Sequence, residues 1–191
     1  MPLRRTTEGW RTDRHKWEVE NKIVVTGIGR VSEGEKQIVA NCIRMLLSEL
    51  GFALEVGAAA SSDNITKTVN EMLRSSLSRD AIDADCILGE LNRRRKEDST
   101  LRAAIVIAVN PDEYAFTDPL AIYGVGYEDG LVILRDTRKE AVRHEMGHML
   151  GIHSHCDKNP NCVMRWECPS EYFCRSCEAS LKALWHYAKL E

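Results

Sequence analysis

No run in this chain approaches the 18 or more uninterrupted apolar residues of a membrane helix. Charge of either sign is not in large excess: the net charge is -3 and the pI about 6.1, which gives no general attraction to nucleic acid or anionic membranes. The start, Met1-Pro2-Leu3-Arg4-Arg5, has charge but no apolar core behind it, so no secretory signal is expected. Without one, the seven cysteines read as metal ligands and buried thiols of a reducing, cytoplasmic protein, not as a disulfide framework. Cys42 and Cys86 lie in apolar helical patterns and are expected in the core. A chain of 191 residues is about one ordinary domain and can bury a core.

Along the chain, residues 1–20 are polar. Trp10 and Trp17 sit among basic residues there, but Glu8, Asp13, Glu18 and Glu20 cancel much of that charge, so a solvated segment is expected. Lys22 to Ile28 is a β-branched run, hence a strand. Ser32 and Glu35 form a capping box opening a helix that carries Ile38, Val39, Cys42, Ile43, Leu46, Leu47 and Leu50 at helical spacing, a stripe expected in the core, and ends at Gly51. Phe52 to Val56 reads as a second strand, and helices follow at about 65–76 and 80–96. Arg93-Arg94-Arg95-Lys96 closes the latter, where exposed carbonyls favour positive charge. The continuous apolar run to Val109 is that of a central strand covered on both faces. Residues 122–127 look like an exposed edge strand, and Glu128-Asp129-Gly130 turns the chain into the strand Leu131 to Leu134. Thr137 and Glu140 form a second capping box before a helix at about 138–150. The order of elements places the chain in α+β or α/β, with a mixed sheet.

The chemistry is concentrated at the end of the chain. His144-Glu145-Met146-Gly147-His148 puts two imidazoles one turn apart on one helical face, in reach of one zinc ion. Glu145 stands beside that face, where a general base is needed. Gly151 can end the helix in a left-handed conformation. Five of the seven cysteines and five of the six histidines follow residue 143, a density that a solvated helix has no reason to gather.

Over residues 144–177 the sequence resembles the archaemetzincins. Their pattern of HExxHxxG, His-Cys, Cys-x-Met and Cys-x-x-Cys reads here as His144 to Gly151, His155-Cys156, Cys162-Val163-Met164 and Cys174-Arg175-Ser176-Cys177. The resemblance implies a two-lobed metzincin-like fold with a long helix backing the sheet and two zinc ions per chain. One is catalytic, on His144, His148 and His155, with His153 as the alternative because Ser154 stands ten residues after His144, where metzincins usually have a histidine. The other is structural, on Cys156, Cys162, Cys174 and Cys177, with Cys168 as the substitute. Met164 becomes the residue of the tight turn below the metal. The lobes would be residues 21–151 and 152–191, after a polar segment at 1–20.

The function expected is a zinc-dependent peptidase, with Glu145 as general base and then acid. An extended peptide or protein substrate would pair with the edge strand at Gly124, Val125 and Gly126. No nucleic-acid or membrane partner is expected, and the chain is read as a monomer. The competing reading is a non-catalytic, zinc-stabilised peptide-binding or adaptor module.

Overall fold

The computed structural model describes residues 4–5, 9–11, 19–78, 81–118, 123–127, 129–167 and 170–187. Five strands form its main sheet: β1 (Lys22–Ile28), β2 (Glu55–Ala58), β3 (Ala104–Val109), β4 (Gly124–Tyr127) and β5 (Leu131–Leu134). Their order is β4-β5-β3-β1-β2. All pairs are parallel except β4 with β5, so the sheet is mixed and β4 is an edge. The helices are α1 (Glu33–Leu50), α2 (Asn64–Ser76), α3 (Ala84–Arg94), α4 (Lys139–Met149) and α5 (Arg175–Tyr187).

Alternation along β3 shows why the fold has three layers. Ala104 and Val106 point into a core shared with α1, α4 and α5, while Ile105, Ile107 and Val109 point into a second core shared with α2 and α3. Every residue of β3 and β5 is buried, as parallel strands covered on both faces require. The expected mixed α/β architecture, with α1 backing the sheet, is what forms.

Local chemistry sets the ends of α1. The Ser32 side chain accepts from the Glu35 amide, and Glu35 accepts from the Ser32 amide at 2.8 Å. Gly51, at φ 74°, closes the helix, and the Phe52 amide turns back to the Leu47 carbonyl. That bond takes Phe52 out of any ladder, so β2 begins at Glu55, later than the sequence suggests.

Other expectations are corrected in the same way. No side chain caps α4, because the Asp136 carboxylate accepts from the Arg138 amide and the helix starts after Thr137. The third helix starts at Ala84, capped by Asp83, and it buries Ala84, Ile87 and Leu91. Cys86 falls on the opposite side and is exposed, whereas Cys42 is buried. Residues Arg4–Arg5, Gly9–Arg11 and Val19–Glu20 form a small antiparallel sheet that the polar sequence does not announce. The basic cluster is not a basic face. Arg93 and Arg94 pair with Glu90, and Arg95 is buried, donating to the carbonyls of Leu101, Ala103, Asp129 and Gly130.

Beyond α4 the described backbone between Ile152 and Cys174 is irregular. Its shape depends on a few hydrogen bonds: Cys156 amide to Met164 carbonyl at 2.7 Å, and Val163 amide to Tyr172 carbonyl at 2.7 Å. Arg143 of α4 joins this segment to α1, donating to the Glu171 carbonyl at 2.9 Å and to the Glu49 carboxylate at 2.5 Å.

Candidate active site and metal centres

Helix α4 carries His144, Glu145 and His148, and its end sets the first metal-type geometry. Gly151 has φ 109°; its amide bonds to the His148 carbonyl and the Ile152 amide to the Gly147 carbonyl. This Schellman closure turns the Ile152 carbonyl back onto His148 Nδ1 at 2.6 Å. His144 Nδ1 meets the Val163 carbonyl at 2.7 Å. A carbonyl only accepts, so both Nδ1 atoms donate and both Nε2 atoms offer lone pairs to one point.

Those two Nε2 atoms are 3.2 Å apart. Two imidazoles on a tetrahedral zinc, at about 2.0–2.1 Å each, would place them about 3.3–3.4 Å apart. The ligand nitrogens of His144, His148 and His155 all lie within 4.8 Å of one another. His153 is exposed and lines the neighbouring cleft without joining this group. Burial lowers the imidazole of His144 to about 4 and lowers those of His148 and His155 as well, Asp157 opposing it at His155. Near neutral pH the three rings are therefore neutral, as metal ligands must be.

Glu145 is buried beside them. Burial pushes its carboxyl up to about 8, and the Gly126 backbone N–H bonded to it works in the opposite direction. Strand β4 lies close over α4. A Cβ on Gly126 would run into the Glu145 carbonyl oxygen, and one on Gly124 into the Ile133 carbonyl oxygen. Gly126 is thus required by helix–strand approach and Gly124 by the closeness of the paired strand β5, besides lying at the free edge. A cleft of about 340 Å³ opens there, lined by Tyr123, Gly124, Val125, Gly126, Glu145 and the imidazoles of His148 and His155, with Trp166 at its side.

The second group is Cys156, Cys162, Cys174 and Cys177, whose sulfurs also lie within 4.8 Å of one another. Cys156 and Cys174 sulfurs are 3.7 Å apart, far beyond a disulfide and close to the roughly 3.8 Å edge of a zinc tetrathiolate. Burial raises the Cys162 and Cys177 thiols, whereas hydrogen bonds overcome burial at Cys174 and bring it to about 7. Cys168 lies outside the described residues. Both donor sets fit zinc: three neutral imidazoles that leave a position open, and four sulfurs that leave none.

Met164 is fully buried beneath α4. Its neighbour above is Gly147, where a Cβ would strike the Met164 sulfur and come within 3.0 Å of Phe173. Sequence reasoning missed Gly147, although a glycine inside a helix costs about 1 kcal/mol relative to alanine and so signals a close approach. It also missed Tyr123, which donates to the Glu167 carbonyl at 2.9 Å, and Trp166. Nothing local in the sequence singles those two out.

An α/β sheet with an irregular C-terminal segment, a histidine triad and a thiol cluster is the class that these features define. No family model and no curated protein matches the sequence. Among solved structures, the chain is similar to the crystal structure of archaemetzincin from Methanopyrus kandleri, with a TM-score of 0.58 over 86% of this chain and 95% of that one, at 18% identity. The fold is therefore archaemetzincin-like.

Proposed function

We propose that this protein is a zinc-dependent peptidase acting on extended peptides, with His144, His148 and His155 as ligands and Glu145 as general base and acid. The observation that carries the reading is the convergence of two Nε2 atoms at 3.2 Å, each ring anchored by a carbonyl, next to a buried carboxyl. When bound, zinc supplies Lewis-acid polarisation of water and of a peptide carbonyl. The charge of a bound zinc would favour the ionised form of Glu145 against the effect of burial. The carboxylate, steered by the Gly126 N–H, would accept the proton of the attacking water and deliver it to the departing amine. The free edge of β4 offers main-chain groups to a substrate strand, so recognition at Gly124, Val125 and Gly126 demands little of its side chains. The four cysteines hold a second, structural zinc that shapes the segment carrying His155 and Met164. A monomer in the cytoplasm, acting without nucleic acid or membrane, completes the proposal.

The test is hydrolysis of a mixed peptide library by zinc-loaded protein, with Glu145→Gln as control. A loss of about 10²–10⁴-fold in turnover is expected, with zinc retained. Full activity in the variant would sink the assigned role. Zinc-loaded wild type that binds peptides and never cuts them would establish the non-catalytic binding module instead.

A further inference from the structure

The three imidazoles are not held alike. His144 and His148 each have an Nδ1–H fastened to a backbone carbonyl. His155 has no hydrogen bond to any of the described residues, and it is more exposed than His144. A ligand without such an anchor pays in orientational freedom each time it binds, since its ring must be brought to the metal from many rotations. Its ring is nevertheless packed: the Trp166 indole and the imidazole meet edge to face, with centroids 4.6 Å apart at 66°. That is the favoured geometry for two aromatic rings.

Trp166 stands on a braced platform. The Arg165 amide donates to the Cys162 carbonyl at 3.1 Å, and its guanidinium pairs with Glu167 at 3.1 Å. Tyr123, from the sheet edge, donates to the Glu167 carbonyl. Yet 41% of Trp166 remains exposed. So large an apolar side chain is held at the surface by its loop, packed against His155.

We infer that Trp166 is a positioning residue for His155, its indole doing by ring packing what the Val163 and Ile152 carbonyls do for the other two histidines. The inference rests on the reading of the three histidines as metal ligands. Outer-shell partners of metal ligands are typically worth 10–100-fold in metal affinity. A packing contact belongs near the lower end of that range.

Full-length protein is loaded with two equivalents of zinc, and each ion's release is followed by chelator competition in wild type, Trp166→Ala and Trp166→Phe. The expected result is release from the histidine centre at about ten-fold weaker affinity in Trp166→Ala, with Trp166→Phe within about three-fold of wild type. The cysteine-bound ion should be unaffected in both, which also reports that the segment is folded. Cobalt(II) substituted at the histidine centre should show altered visible bands in Trp166→Ala and near-native ones in Trp166→Phe. Histidine-centre affinity within two-fold of wild type in Trp166→Ala would overturn the inference, as would equal losses in both variants. Wild type that takes up no ion at its histidines overturns the peptidase reading itself, and the inference with it.

Discussion

Residues 21–151 and residues 152–187 are organised by different physics. In the first region, strands β3 and β5 are buried throughout, and helices cover both faces of the sheet. In the second, the described residues between Ile152 and Cys174 form no regular element, and among the described residues the buried apolar side chains, Cys162 apart, are few: Ile152, Val163 and Met164, with Leu181 on α5. Four sulfurs sit where a larger apolar core would otherwise be needed. The candidate active site straddles the two regions. His144, Glu145 and His148 arrive on a helix packed by hydrophobic burial, whereas His155 and the Val163 carbonyl arrive with the sulfur-held segment. A half packed by apolar burial and a half gathered around four sulfurs thus meet at one point.

The strongest way to break this contrast is to withdraw metal. Binding at a four-thiolate site is worth on the order of 10 kcal/mol, nearly all of it folding energy of the segment. Chelation should therefore abolish hydrogen-exchange protection in residues 152–187 while β1, β3 and β5 keep theirs. Uniform protection, or uniform loss, would show that the regions do not differ as described. Glu145→Gln comes next, with an expected loss of about 10²–10⁴-fold in turnover.

A cavity in the first region should do the converse. Ile107→Ala, at a fully buried position facing α2 and α3, should cost about 2–5 kcal/mol in denaturant unfolding. Metal content per chain should stay at the wild-type value. At the junction, Gly147→Ala forces Met164 to shift, costing about 1–3 kcal/mol by overpacking against roughly 1 kcal/mol regained in helix propensity. A drop in melting temperature together with weaker binding at the histidines is expected. A rise would mean that Met164 moves freely.

The smallest effect lies far from both centres. Hydrogen bonds from Arg93 and then Arg94 lower the Glu90 carboxyl from 4.5 to about 2. A pKa lowered by folding adds stability above the unfolded value, and that contribution is lost as pH falls from about 4.5 towards 2. The pair is partly exposed, so Glu90→Gln should cost less than about 1 kcal/mol at pH 7, and the difference from wild type should shrink at pH 3. Urea titrations at the two pH values read it directly.

Much of the sheet region is legible before folding, because periodicity is a local signal. The β-branched run of β1, the Ser32–Glu35 box, Gly51 and the apolar run of β3 each report their own conformation. Errors arise where a side chain or a backbone amide chooses between local partners. Asp136 took the amide ahead of α4, and Phe52 was drawn into the close of α1. Cys86 shows a further limit: within an apolar helical pattern, one step of 100° separates core from solvent. The residues of the two centres were legible by type and spacing, since metal ligands are few in kind. Trp166 and Tyr123 were not, because their roles depend on neighbours distant in sequence.

By itself, the sequence determined the donor atoms: two histidines one helical turn apart, a carboxyl beside them, and enough thiols to close a second centre. It also set the strands and helices that bury their own apolar faces. Only tertiary structure brought His155, and not the exposed His153, within reach of His144 and His148. The reason is that an irregular segment has no period from which a side chain's direction can be read. Its direction follows from the Gly151 turn, the Cys156–Met164 hydrogen bond and the sulfur cluster, all of which form only once the chain has folded back under α4.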